Sequence, residues 1–501
     1  MMLIETFAPS RRRYNRHLMV RLLLGLTLLI SSVLHVNAND NTLPSLGDTS
    51  SAQISLQQEY KLGRAWLTTL RNRSKELNDP LLYDYLEHLL YRLAEHSQLQ
   101  DRRLELVVID NPSLNAFAVP GGIIGVNSGL LLYAHREQEL ASVLAHELAH
   151  LSQRHYARKL EATKNNTLPS LAALLTSIAI AATSGGSAGV AAIATTQATL
   201  IDQQLRFSRS NEQEADSIGL QTLVNADIDP HAMASMFDRM LAAQRLAGSR
   251  PPEFLLTHPL TESRIADARS RAEQLSSNNS EDNTRLSLNY QLMRNRVRLT
   301  LATSPSHAIK LFKSELENND TIIGRAAQYG LALAYSKAGQ HIKANKTLQP
   351  LLASDPNRIS YLVTYAQINQ TKVMQSTVEQ RLKKNLALNP GNYPLSMALA
   401  NNLIGQHRYK DAQILLKKIS LIRPQDPAVW LRLAEANGFD NNTVGAHLAN
   451  AEYFMLTGNM DAALNQLNYA LQKSDKNFQL SSKIEQRKKD IINAQKYLDS
   501  F

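Results

Sequence analysis

The chain has 501 residues, room for two to four domains of ordinary size. It has no cysteine, which excludes a disulfide-stapled fold, a thiol nucleophile, an iron–sulfur cluster and a thiolate-ligated zinc site. Hydrophobic residues make up 44% and aromatic ones only 6%, which favours a helix-rich globular protein over a large β-sandwich, and a formal charge of +10 raises nucleic acid or an anionic membrane as partners.

Residues 1–38 read as a secretory leader. Arg11, Arg12, Arg13, Arg16 and Arg21 form a basic region, Leu22 to Ile30 an apolar one, and Val36-Asn37-Ala38 a cleavage site. The apolar run is shorter than the ~20 residues of a spanning helix, so cleavage near Ala38 is favoured over anchoring. Removing the leader takes away five Arg and one Glu and leaves +6. No basic run with interleaved aromatics remains, which argues against nucleic acid as a partner.

Residues 39–53 are small and polar, a lead-in. Gln57 to His96 has leucines at three- and four-residue spacing, a helical pattern. Leu104 to Ile109, Asn115 to Val119 and Ile123 to Val126 read as short strands around Pro120-Gly121-Gly122. Arg136 to Leu160 is helical again, with no Gly or Pro to interrupt it.

Inside that helix lies His146-Glu147-Leu148-Ala149-His150. Histidines four residues apart project from one face, one turn apart, and suit two neighbouring corners of a zinc tetrahedron. Glu147 is placed to act on a water rather than on the metal. His155 falls on another face and is not expected to be a ligand.

Leu168 to Ile201 is uncharged and rich in Ala, Gly, Ser and Thr. It reads as two short helices in a hairpin, with a membrane-dipping hairpin, hence peripheral membrane contact, as the sharper alternative. Ser208 to Asp216 follows. Glu212 and Asp216 share a helix face, so Glu212 is the favoured third ligand and Asp216 the acceptor of a ligand histidine's spare N–H. Glu214 is the second choice. His231, after Asp229-Pro230, belongs to a helix start.

Residues 272–284 are polar and Ser/Asn/Asp-rich, a linker. Beyond it Pro356, Pro390 and Pro424 are each 34 residues apart, the tetratricopeptide period. Ala332, Gly339, Ala344 and Leu348 in unit 325–358, Ala400 and Ala412 in 393–426, and Ala451, Gly458, Ala463 and Ala470 in 444–477 fall at that repeat's small and apolar positions. The unit 359–392 is degenerate, with Val378 at a small position. The expectation is an α+β zincin-like metalloprotease domain over 39–271 and an all-α tetratricopeptide-repeat array over 285–501.

HELAH followed some sixty residues later by NEQEAD, with NAFAVPGGIIGVNSGLL from Asn115 to Leu131 ahead of them, resembles the M48-type zinc metalloproteases. The resemblance implies one Zn²⁺ held by His146, His150 and Glu212, with Glu147 and Asp216 as catalytic residues. Leu255 to Arg264 resembles the family's HPxxxxR element, which implies His258 as a regulatory fourth ligand that holds the enzyme latent. The leader, this domain and the repeats together are similar to the family's periplasmic members in Gram-negative bacteria. That implies a metalloendopeptidase with chaperone-like action in outer-membrane protein quality control. It also implies the outer-membrane β-barrel assembly machinery and unfolded or stalled outer-membrane proteins as partners. The rival readings are a mainly latent adaptor docked on that machinery and a membrane-associated protease.

Overall fold

Capping chemistry sets the first two helices. Ser55 accepts from the amide of Gln58, whose side chain returns to the Ser55 amide, and α1 runs Leu56–Arg73. Asp79 caps α2 (Pro80–Glu95), which begins on the proline that a first turn tolerates. The leucine pattern of 57–96 is therefore two helices, and Leu82, Leu86, Leu90 and Leu93 of α2 are fully buried. This computed structural model describes residues 54–162, 207–246, 252–276, 286–317, 321–474 and 477–499. The leader, the 39–53 lead-in and the 168–201 hairpin lie outside the described residues. No helix among those described is long and apolar enough to cross a membrane.

Three strands follow, β1 (Glu105–Ile109), β2 (Ala116–Val119) and β3 (Ile123–Asn127), in the order β1-β3-β2. Central β3 runs parallel to β1 and antiparallel to β2, with Val107 and Phe117 both opposite Gly125. The β2–β3 turn needs its glycines: Gly121 has φ +90°, and a Cβ there would sit 2.6 Å from the Glu59 carbonyl oxygen of α1.

After α3 (Leu130–Tyr133) comes α4 (Glu137–Ser152), buried without interruption from Glu139 to His150. The helix predicted over 136–160 is broken. Arg154 adopts φ +51°, and a separate α5 (His155–Ala162) starts in a new direction. A left-handed arginine costs about 1–2 kcal/mol. Its guanidinium is held by the Glu59 carboxylate at 2.7 Å and the Ile54 carbonyl at 2.5 Å, which offset that cost.

Helices α6 (Arg209–Asn225) and α7 (His231–Leu246) pack on α4. Gly219 lets α6 cross closely, since a Cβ there would lie 3.3 Å from the His146 amide nitrogen. A short α8 (Glu253–Thr257) and then α9 (Glu262–Leu275) complete the domain. Helix α9 carries buried Ala272 and ends at Leu275, so the polar stretch expected as linker from 272 begins inside a helix.

The remainder is a helical array: α10 (Leu288–Thr300), α11 (Pro305–Leu316), α12 (Thr321–Lys337), α13 (His341–Ser354), α14 (Ile359–Ile368), α15 (Lys372–Leu388), α16 (Tyr393–Gly405), α17 (Tyr409–Ile422), α18 (Pro427–Phe439), α19 (Thr443–Leu456), α20 (Met460–Gln472) and α21 (Phe478–Asp499). The units 325–358, 359–392 and 393–426 correspond to the pairs α12–α13, α14–α15 and α16–α17. Ala332, Ala344, Ala400, Ala412, Ala463 and Ala470 are fully buried where helices cross. Turns at Gly339, His407, Asn441 and Gly458 pivot on a left-handed residue. One helix was not expected. The sequence units stop at 426 and resume at 444, and α18 fills the gap, packed on both α17 and α19.

The array and the α+β domain share one hydrophobic core. Tyr290 donates to the Ala134 carbonyl at 2.7 Å, and Arg296 pairs with Asp79 at 2.6 Å. Arg423 pairs with Glu87 and stacks over Tyr393 at 4.3 Å.

Candidate metal centre

Helix α4 delivers His146, Glu147 and His150 into the interior, each at 3% exposure or less. The two imidazoles face each other through Nε2 atoms 3.0 Å apart. The first turn of α6, capped by Ser208, brings Glu212 against both. Its Oε2 lies 3.6 Å from His146 Nε2 and its Oε1 3.6 Å from His150 Nε2. One turn later Asp216 Oδ1 lies 3.0 Å from His146 Nδ1. His258 closes the group from the end of α8. Its Nδ1 is 3.4 Å from His146 Nε2 and 3.0 Å from Glu212 Oε1, and its Nε2 is 3.5 Å from Glu147 Oε1.

The donor set fits a tetrahedral cation. Ligand nitrogens and oxygens at zinc distances stand about 3.3 Å apart along a tetrahedron's edges. Five of the six separations among His146, His150, Glu212 and His258 run from 3.0 to 3.6 Å, with Glu212 meeting His146 through Oε2 and the other two histidines through Oε1, and one ligand atom from each residue lies within 4.8 Å of the rest. Hard oxygen and imidazole nitrogen without thiolate suit zinc. Both carboxylate oxygens of Glu147 are buried without a hydrogen bond, a costly arrangement unless a reactant is to use them. Phe207 stacks on the His150 ring at 4.1 Å and Phe254 on His258 at 4.5 Å, walling the cluster with apolar surface.

The buried carboxylates and imidazoles perturb one another strongly here. Burial would lower the pKa of His146, but the bonds to Asp216 and Glu212 outweigh it and raise it to about 9. Burial and the neighbouring His146 charge push His150 down. Glu212 is held well below the ordinary carboxylate range, because His258 and His146 overcome the effect of burial. Burial pushes Glu147 up.

Two residues left without a role by sequence reasoning belong here. Arg264, from the segment that resembles HPxxxxR, donates to both oxygens of Asp216 at 2.7 and 2.8 Å. It also lies 2.7 Å from Glu212 Oε2 and donates to the Pro259 carbonyl at 2.8 Å. It thereby ties the α6 carboxylates to the loop that carries His258. His155 is the second. The kink at Arg154 turns its ring back, and its Nδ1 lies 2.8 Å from His150 Nδ1. The expectation that it falls on another face assumed one straight helix. Glu214, the second-choice ligand, instead meets His155 at 3.1 Å and Arg158 at 3.0 Å. His231 stays with Asp229 at the start of α7.

Residues 80–272 match the model of peptidase family M48, and residues 378–436 match a tetratricopeptide repeat model. The chain is 34% identical to the β-barrel assembly-enhancing protease of Escherichia coli K12, over 92% of this chain and 93% of that protein. Its identity to the protein of the same name from Yersinia pestis is 32%, over 85% and 87%. The mitochondrial metalloendopeptidase OMA1 of Schizosaccharomyces pombe is 36% identical over 36% of this chain and 50% of that protein. The likeness to OMA1 covers about a third of the chain, whereas the bacterial proteins match along most of its length. With its buried histidine–glutamate cluster and its helical array, the chain is a metallopeptidase that belongs to peptidase family M48 and continues into tetratricopeptide repeats.

Proposed function

We propose that the chain is a periplasmic zinc endopeptidase of Gram-negative outer-membrane quality control, promoting the assembly of β-barrel proteins and cleaving those that stall. The observation that carries this reading is the four-sided cluster of His146, His150, Glu212 and His258 with Glu147 beside it. The name of the bacterial relatives, β-barrel assembly-enhancing protease, supports the substrate class. The functional division is a cleaved leader (1–38), a peptidase (39–271), a polar connection (272–284) and an array (285–501) that docks on the assembly machinery.

His146, His150 and Glu212 would hold a zinc ion. Bound there, zinc would supply Lewis-acid polarisation of the scissile carbonyl and of a water. Glu147, desolvated and raised, takes a proton from the attacking water and delivers it to the leaving amine nitrogen. Asp216, locked by Arg264, stands 3.0 Å from His146 Nδ1 and so favours the orientation in which that ring's Nε2 is turned inward. An extended substrate strand adds along β2, where main-chain bonds read backbone more than side chains.

His258 favours a second, compatible reading, an enzyme held latent. It takes the fourth corner and stands within 3.5 Å of the base. Cleavage requires it to withdraw, and until then the array acts as an adaptor. Glu147→Gln tests the assignment. It should abolish degradation of an unfolded outer-membrane protein by purified components, a loss of about 10²–10⁴, while zinc content and partner binding persist. Continued degradation by that variant would overturn the reading.

A further inference from the structure

The hydrogen bonds behind His150 assign a role that the ligand set does not. His150 turns Nε2 toward the cluster and leaves Nδ1 facing outward, 2.8 Å from His155 Nδ1. Two ring nitrogens at that separation share one proton. The Nε2 lone pair of His150 must be free for a cation, so its proton sits on Nδ1 and is donated to His155 Nδ1. That leaves the proton of His155 on Nε2, which donates to Glu214 Oε2 at 3.1 Å. The same oxygen accepts from Arg158 Nη1 at 3.0 Å. Both histidine N–H donors therefore point one way, from the ligand ring outward, and end on a carboxylate that Arg158 holds from the far side. The His155 ring is fully buried, and its place depends on the left-handed Arg154 anchored to Glu59. His146, by contrast, meets its carboxylate, Asp216, directly.

We propose that His155 is a positioning residue of the metal centre: by accepting the Nδ1–H of His150 it fixes that ring's tautomer and plane, while Glu214 and Arg158 fix its own. This rests on the zinc reading above. Zinc affinity of the full chain, measured by competition with a chromogenic chelator, tests it, together with the visible spectrum of the cobalt-substituted protein. His155→Phe fills the space without an acceptor. His155→Asn can place an oxygen where Nδ1 stood, and His155→Gln can place only a donor toward Glu214.

The Phe and Gln variants should bind zinc about ten- to hundredfold more weakly and shift the cobalt bands. The Asn variant should recover to within about threefold of the parent. A Phe variant as tight as the parent overturns the assignment. So does equal affinity of the Asn and Gln variants, a comparison that survives if the Phe variant does not fold. A parent that binds no zinc overturns the zinc reading and this assignment together. A tight-binding parent with an indifferent position 155 overturns this assignment alone.

Discussion

The metal centre buries His146, Glu147, His150, Glu212, Asp216, His258 and Arg264 at 6% exposure or less, whereas the seams of the array bury alanines. In the first region nearly every polar group depends on another from a distant segment, so one deletion strands several charges in a dry interior. In the second, each contact is made by neighbouring helices and its loss stays local. The same chain thus holds a region of high interdependence beside one of low interdependence. Substitutions of comparable size should have unlike consequences in the two.

Arg264→Met is the largest expected departure. It leaves the buried carboxylates of Asp216 and Glu212 without their cation, which should cost about 3–5 kcal/mol in denaturant unfolding. Zinc should restore part of this. A variant as stable as the parent would mean that the centre tolerates stray charge and that the contrast between the regions is false. Ala344→Leu is the counterpart in the array. Overfilling that fully buried seam should cost about 1–3 kcal/mol with zinc affinity unchanged. A weakened metal site in that variant would show that the shared core couples the two regions tightly.

The smallest effect sharpens the comparison by pH. Burial would raise the Glu379 carboxyl, but Lys383, Arg408 and Gln406 hold it down, to about 2. A folded-state value below the unfolded one stabilises above the unfolded value and loses its effect as pH falls toward about 2. Glu379→Gln should therefore cost less than about 1 kcal/mol at neutral pH, with the pair exposed to solvent screening, and nothing at the acid end. A penalty that grew on acidification would contradict the sign.

Legibility followed the same division. His146 and His150 share one helix, so their spacing declares their geometry, and Glu212 and Asp216 repeat the device on α6. The repeats were visible because a period needs no knowledge of three-dimensional neighbours. His155 was not legible. Its position depends on a left-handed arginine held by a glutamate 95 residues earlier, and neither Gly nor Pro marks the break. Arg264 was recognised only as part of a pattern, since its three acceptors meet only in the fold. Helix α18 escaped because it matches the repeat length by half and interrupts the frame between 426 and 444.

One turn at the end of the array has a wider consequence. Gly458 lies so close to the peptidase that a Cβ would stand 2.3 Å from the Thr68 carbonyl oxygen of α1, and both α19 and α21 touch that helix. A solenoid ordinarily frays from its loose end, one repeat at a time. Here the last pairs are clasped by the helix that also backs the sheet. The array is fastened to the peptidase near both ends, so its last repeats should unfold no earlier than the helix that holds them.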